Sequence, residues 1–351
     1  MIVFDTKSYL DNLDALPGKR LDYTTAEASG DWQGWQSRLR EALKEKLGMH
    51  RIQADGVPLA PRLEASSAHE GYTLEKRYIT TEPGVEIPFY LLLPTTAGNG
   101  PFPLVITPHG HGRRGKEVYV GNFEDDKERS DSLAGDRDIA LQAVSEGYAV
   151  IAPDVRGFWE MSRAQEFDKK QNNSCTELQR SAMMYGRTLI GERVHDMGRL
   201  IDYAATRSEI DTSRIVITGN SGGGTVSLFA AAIDERISIS IPGSYFCTFK
   251  RSIVSLSHCA CNLVPGILEL GEMYDVAGLI APRPFLAVNG KDDRIYPVEG
   301  AREAFAHLQR IYAAMGQPDN CELFVGHEGH RYYKDRVWSF VKEHLAAMPA
   351  Q

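Results

Sequence analysis

The chain has no surplus of positive charge. Among its 351 residues, Asp and Glu number 47 against 39 Lys and Arg, for a formal net charge of −8. Nucleic acids and anionic membrane surfaces favour basic patches, so this balance argues against both as partners. Long apolar runs are also missing, and none approaches the ~20 residues that a membrane-spanning helix needs. The opening stretch MIVFDTKSYLDNLDAL carries acidic residues where a secretion signal needs a basic segment and an uninterrupted apolar one. A mature, cytoplasmic chain is therefore expected. There is no internal repeat, so a propeller is excluded.

Cysteine is scarce. The five, Cys175, Cys247, Cys259, Cys261 and Cys321, are odd in number and lack a secretory context, which predicts reduced thiols. His258-Cys259-Ala260-Cys261 does not have the spacing of a zinc knuckle, and no second Cys/His pair sits at ligand spacing. A packed loop and no metal are expected there.

What remains is an ordinary globular composition, 42% hydrophobic and 25% charged, long enough for one large α/β domain or two smaller ones. Residues 1–70 read as polar and irregular apart from one helix. In DWQGWQSRLREALKEKLG, Trp32, Trp35, Leu39, Leu43 and Leu47 recur at three- and four-residue spacing, with Asp31 as N-cap and Gly48 as stop. This amphipathic helix needs a partner surface, so an N-terminal extension packed on the main domain (71–351) is expected. Residues 72–80 and 85–94 flank Glu82-Pro83-Gly84 and predict an antiparallel hairpin. From there strands of continuous Val, Ile and Leu alternate with helices. The strands lie near 104–108, 148–154, 214–219, 236–243, 284–290 and 321–325. That rhythm predicts a mostly parallel, doubly wound sheet covered on both faces. Residues 113–135, 157–190 and 243–280 fit it poorly and read as insertions that shape a substrate pocket.

The centre of the pattern is RIVITGNSGGGTVSLFAAAI, residues 214–233: a β-branched strand, then Gly219-Asn220-Ser221-Gly222-Gly223, then a small-residue helix. Strand, G-x-S-x-G, helix is the order of a nucleophile elbow, which exposes Ser221 Oγ above the sheet. A phosphate-binding loop fits less well, because no Lys follows the glycines. A serine hydroxyl needs a general base, oriented in turn by an acid. Lys291-Asp292-Asp293 follows a later strand, and Asp293 is preferred over Asp292 as the acid. Gly326-His327-Glu328-Gly329-His330 follows the next strand, and His330 is preferred over His327 as the base. His195, His307 and His344 fall on helices and read as packing or surface residues. An oxyanion needs backbone donors. The N–H of Gly222 is one candidate. The loop His109-Gly110-His111-Gly112 supplies the other, His111 ahead of Gly112. Its two histidines at i, i+2 lack a nearby carboxylate or Cys in sequence, so no metal is expected here either.

Together these motifs resemble the α/β-hydrolase superfamily over roughly residues 72–347. Within it, HGHG, Asp154-Val155-Arg156-Gly157, GNSGGG and HEG (327–329) resemble bacterial dienelactone-hydrolase-related and acetyl-xylan-esterase-like serine esterases. The dienelactone-hydrolase pattern, with His before an aromatic, favours His330; the esterase pattern, with His before Glu, favours His327. Dienelactone hydrolases proper use Cys where this chain has Ser221. The resemblance implies a cofactor-independent serine ester hydrolase acting on a short-chain, carbohydrate-linked acyl ester. It also implies an oligomer. A peptidase or amidase of the same fold and a non-catalytic binding protein are the alternatives.

Overall fold

The structure, a computed structural model, describes residues 4–15, 20–96, 98, 100–168 and 173–348. Nine strands form one sheet: β1 (Arg62–His69), β2 (Tyr72–Glu82), β3 (Val85–Pro94), β4 (Phe102–Ile106), β5 (Ala149–Pro153), β6 (Ile210–Asn220), β7 (Ile239–Gly243), β8 (Phe285–Gly290) and β9 (Cys321–Gly326). Their order is β1-β2-β3-β5-β4-β6-β7-β8-β9. The first three strands and the β3–β5 junction are antiparallel, and every pair from β5 to β9 is parallel. The α/β-hydrolase sheet and its leading hairpin are therefore present.

Both faces of the parallel part are covered because its strands carry apolar side chains at successive positions, which alternate between two cores. Leu104, Ile106, Ile215, Ile217, Phe285 and Ala287 point into one core. The alternating Val105, Val216, Leu286 and Val288 point into the other. The first core is closed by helices α1 (Trp32–Leu47), α4 (Leu189–Ala204), α5 (Gly222–Ile233) and α6 (Val298–Ala314); the second by α2 (Ile139–Ser145) and α7 (Val337–Ala346). A further helix, α3 (Cys175–Met184), lies in the 157–190 insertion.

Helix α1 begins and ends where its sequence says it should. Asp31 accepts the Gly34 N–H at 2.9 Å, and Gly48 closes it at φ 72°. Trp35, Leu39, Leu43 and Leu47 are fully buried against the main core. Gln36 adds two bonds, Nε2 donating to Gly278 O at 2.8 Å and Ala281 O at 2.7 Å.

The first 70 residues hold more structure than their pattern suggests. Helices Thr6–Asp14 and Tyr23–Ser29 and the strand β1 are present as well as α1. All eight residues of β1 are exposed. RLEASSAH therefore has no apolar alternation to read, and the strand is ordered by its ladder with β2 and by surface contacts such as those of Glu64 with Lys76 and Tyr78. No helix among the described residues is long and apolar enough to cross a membrane.

Candidate active site

Four loops meet above the C-terminal ends of the parallel strands, where open α/β sheets place their ligands. After β6 the chain turns at Ser221, with φ 56° and ψ −115°, and enters α5. A non-glycine residue in that region is strained and is held by its surroundings. Ser221 N–H donates to Gly243 O at 2.8 Å, and Asn220 N–H donates to the Tyr119 hydroxyl at 3.1 Å. The glycines two before and two after the serine are required by space. A Cβ on Gly219 or Gly223 would lie 2.1 or 2.0 Å from Pro108 O. One on Gly110 would lie 2.3 Å from Asn220 O. The HGHG loop thus lies directly on the elbow.

Gly222 opens α5, so its N–H lacks an intrahelical acceptor. The His111 ring packs over it, and a Cβ on Gly222 would meet His111 Nδ1 at 3.0 Å. His109 is held differently. Its Nε2 accepts the Val155 N–H at 3.1 Å and its Nδ1 donates to Gly110 O at 2.8 Å, so the ring pins the loop to the end of β5. Asp154 lies 3.3 Å from Nε2 and accepts from Lys116 Nζ at 2.6 Å. Burial raises Asp154, but the charge and hydrogen bond of Lys116 together with the His109 contact outweigh it and hold the carboxyl below its ordinary range.

The loops after β8 and β9 are bound to each other. Lys291 N–H donates to Gly326 O and Asp292 N–H to Glu328 O, both at 2.9 Å. This brings His330 Nδ1 to 2.8 Å from Asp293 Oδ2. The other carboxylate oxygen accepts the N–H groups of Ile295 and Tyr296 at 2.8 and 3.0 Å, which fixes the plane of the buried Asp293. The alternatives face solvent: His327 is 74% exposed beside Glu328, and Asp292 is 64% exposed beside Lys291. Tyr296 stacks on the His330 ring at 5.9 Å.

Ser221, His330, His109 and His111 line one cleft of ≈ 580 Å³. The 113–135 insertion supplies much of its opposite wall, where Arg114 pairs with Glu128 at 3.2 Å and Arg113 pairs with Glu124. The 243–280 insertion adds His258 and Asn262. Burial lowers the His258 pKa and pushes the Tyr119 phenol up to about 12, so both stay neutral near pH 7. Among the described residues of 157–190, none lines the cleft; Phe158 instead backs the His111 ring edge-on at 5.0 Å.

The sequence matches the Abhydrolase family over residues 13–343. The chain belongs to that family. It is 27% identical over 252 residues to YtaP of Bacillus subtilis strain 168, whose name places it among hydrolases; the match covers 69% of this chain and 77% of YtaP. Among solved structures, one described as an acetyl xylan esterase from Bacteroides fragilis NCTC 9343 superposes with a TM-score of 0.74 at 19% identity. That match covers 92% of this chain and 83% of the other. A glucuronoyl esterase from Teredinibacter turnerae T7901 gives 0.63 at 16% identity over 95% and 90% of the two chains. These likenesses place the chain in the α/β-hydrolase fold.

Two features of this family member were not legible beforehand. Tyr119 supports the elbow from 101 positions away, and no local pattern marks it. Nor does the spacing of HGHG or HCAC mark the cluster that their loops form with Cys175. His111, Cys175, Cys259 and Cys261 bring one ligand atom each to within 4.8 Å of one another. Local spacing missed them because the four come from three distant segments.

Proposed function

We propose that the chain is a serine ester hydrolase in which Ser221, His330 and Asp293 act as a triad. The reading rests on one observation: a histidine hydrogen-bonded to a buried aspartate at 2.8 Å shares a cleft with a serine on a strained elbow. Ser221 Oγ attacks the ester carbonyl while His330 Nε2 takes its proton and then hands it to the leaving alcohol. Asp293 holds the Nδ1–H tautomer and stabilises the imidazolium. The N–H groups of Gly222 and His111 receive the oxyanion. Water then cleaves the acyl-enzyme by the same route. Nothing in these steps calls for a cofactor.

The charged wall from 113–135 suits a hydrophilic substrate better than a long acyl chain. Relatives named as acetyl xylan and glucuronoyl esterases point the same way, so a short acyl ester on a carbohydrate is the leading substrate class. The test is p-nitrophenyl acetate hydrolysis by wild type and Ser221→Ala, with fluorophosphonate labelling and mass mapping. Turnover should fall by at least ~10³-fold in the variant, with the wild-type label on Ser221. Near-wild-type turnover in the variant overturns the mechanism, and faster cleavage of long-chain esters than of acetate overturns the substrate class. An aminoacyl anilide cleaved faster than the matching ester would move the activity to amides.

A further inference from the structure

The ester-cleaving reading uses His111 only through its backbone, and it uses no cysteine. Yet the His111 side chain meets three of the five cysteines behind the oxyanion loop. Cys175 begins α3, and Cys259 and Cys261 lie in the 243–280 insertion. The four ligand atoms lie within 4.8 Å of one another, with Cys261 Sγ 3.6 Å from His111 Nε2. None of the three thiols is in a disulfide. Cys175 and Cys261 are buried, and Cys259 is half-buried.

Hydrophobic packing explains buried cysteines one at a time. It does not explain three thiols converging on an imidazole nitrogen, nor what stands beside them. Arg193 is 1% exposed, lies over the Phe158 ring at 5.3 Å and, among the described residues, forms no ion pair with a carboxylate. Its guanidinium donates to Arg156 O through Nε at 3.0 Å and Nη2 at 2.5 Å, and Nη2 also lies 3.2 Å from Cys175 Sγ. Its buried Nη1 has no hydrogen-bond acceptor. A buried cation needs a compensating anion. A divalent ion held by three thiolates and one neutral imidazole carries a net charge of −1, which Arg193 would balance.

One separation in the cluster fits the same ion. Zinc bonds of about 2.3 Å to sulfur and about 2.0–2.1 Å to nitrogen, arranged tetrahedrally, put sulfur about 3.5–3.6 Å from nitrogen and about 3.8 Å from another sulfur. The separation from Cys261 to His111 already has that value. Three thiolates and an imidazole suit Zn²⁺, whereas Mg²⁺ and Ca²⁺ take oxygen ligands.

We propose that His111, Cys175, Cys259 and Cys261 bind one Zn²⁺ in a closed Cys3His site that ties the oxyanion loop to the 157–190 and 243–280 insertions. Four protein ligands leave no open position, so the ion is structural and its binding adds to folding stability. Each ligating thiol gives its proton to solvent.

The experiment uses the full chain purified under reductant. Elemental analysis should find one zinc per chain. After zinc is removed, Co²⁺ should produce thiolate-to-cobalt charge-transfer absorption and the intense d–d bands of tetrahedral coordination, and Zn²⁺ should then bleach both. Cys259→Ser, whose side chain is only half-buried, should weaken Co²⁺ binding by at least about tenfold, while Cys321→Ser leaves it at the wild-type level. Ser221→Ala should bind the metal like wild type whatever its esterase activity, so this site and the proposed triad stand or fall separately. Folded, reduced protein that holds no zinc and leaves cobalt in its aqueous spectrum overturns the proposal. So does a disulfide among the three cysteines that persists under the same reductant.

Discussion

His330 meets Asp293 at 2.8 Å, and His109 meets Asp154 at 3.3 Å; both histidines line the cleft that holds Ser221. The two pairs differ in what else they touch. His109 is 1% exposed, and both ring nitrogens are engaged by backbone, so it has no lone pair left for a proton. Asp154 is claimed by Lys116. The His330 side chain is 24% exposed at the cleft and uses Nδ1 for the carboxylate, while Asp293 is held by two backbone N–H groups and, among the described residues, has no Lys or Arg within 4.0 Å. A His–Asp contact is therefore a poor mark of a base on its own. What separates a proton carrier from a structural pin is whether one nitrogen still faces substrate.

The sharpest way to break this contrast is His330→Ala, which should lower ester kcat by at least ~10³-fold without changing the unfolding midpoint beyond the range of surface substitutions. A variant that keeps a tenth of the activity would make the two pairs equivalent. The buried pair should answer in the opposite currency. Lys116→Met leaves Asp154 inside without its cation and should cost about 3–5 kcal/mol by denaturant unfolding. A loss below about 1 kcal/mol would mean that the backbone N–H of residue 116, which donates to Asp154 at 3.1 Å, suffices for it.

A third buried network, remote from the proposed chemistry, sharpens the point through pH. Burial raises Glu82, but Arg187 and Arg156 overcome it and bring its pKa from 4.5 to about 2. The folded value lies below the unfolded one, so this contribution is complete above about pH 4.5 and is lost as pH falls through about 2. Glu82→Gln should therefore be less stable than wild type at pH 6, and the gap should close across that window in acid-unfolding curves. A gap that stays constant from pH 6 to 2 would contradict the assignment. The smallest effect belongs to the exposed neighbours: His327→Ala and Asp292→Asn should leave kcat/KM within about twofold, since neither side chain is held by more than one partially exposed charge.

Much of this was readable along the chain because it depends on neighbours in sequence. The glycines around Ser221 are dictated by a carbonyl 2 Å from where a Cβ would stand, so the elbow appears as a contiguous motif. The period of α1 and the two-faced strands announced their burial in the same way. The eight exposed residues of β1 carried no such mark. Asp293 and His330 each had a rival within three positions, ranked by spacing for the acid and by the aromatic residues that follow for the base.

The order of strands and helices, the hairpin and the elbow were thus set by sequence alone, since periodicity, caps and the glycine requirement act over a few residues. Which histidine meets which carboxylate, the support of Ser221 by Tyr119, and the gathering of His111 with Cys175, Cys259 and Cys261 were decided only by the tertiary structure. Those contacts join residues up to 150 positions apart, and a distance of a few ångströms between loops leaves no period in the chain for a reader to find.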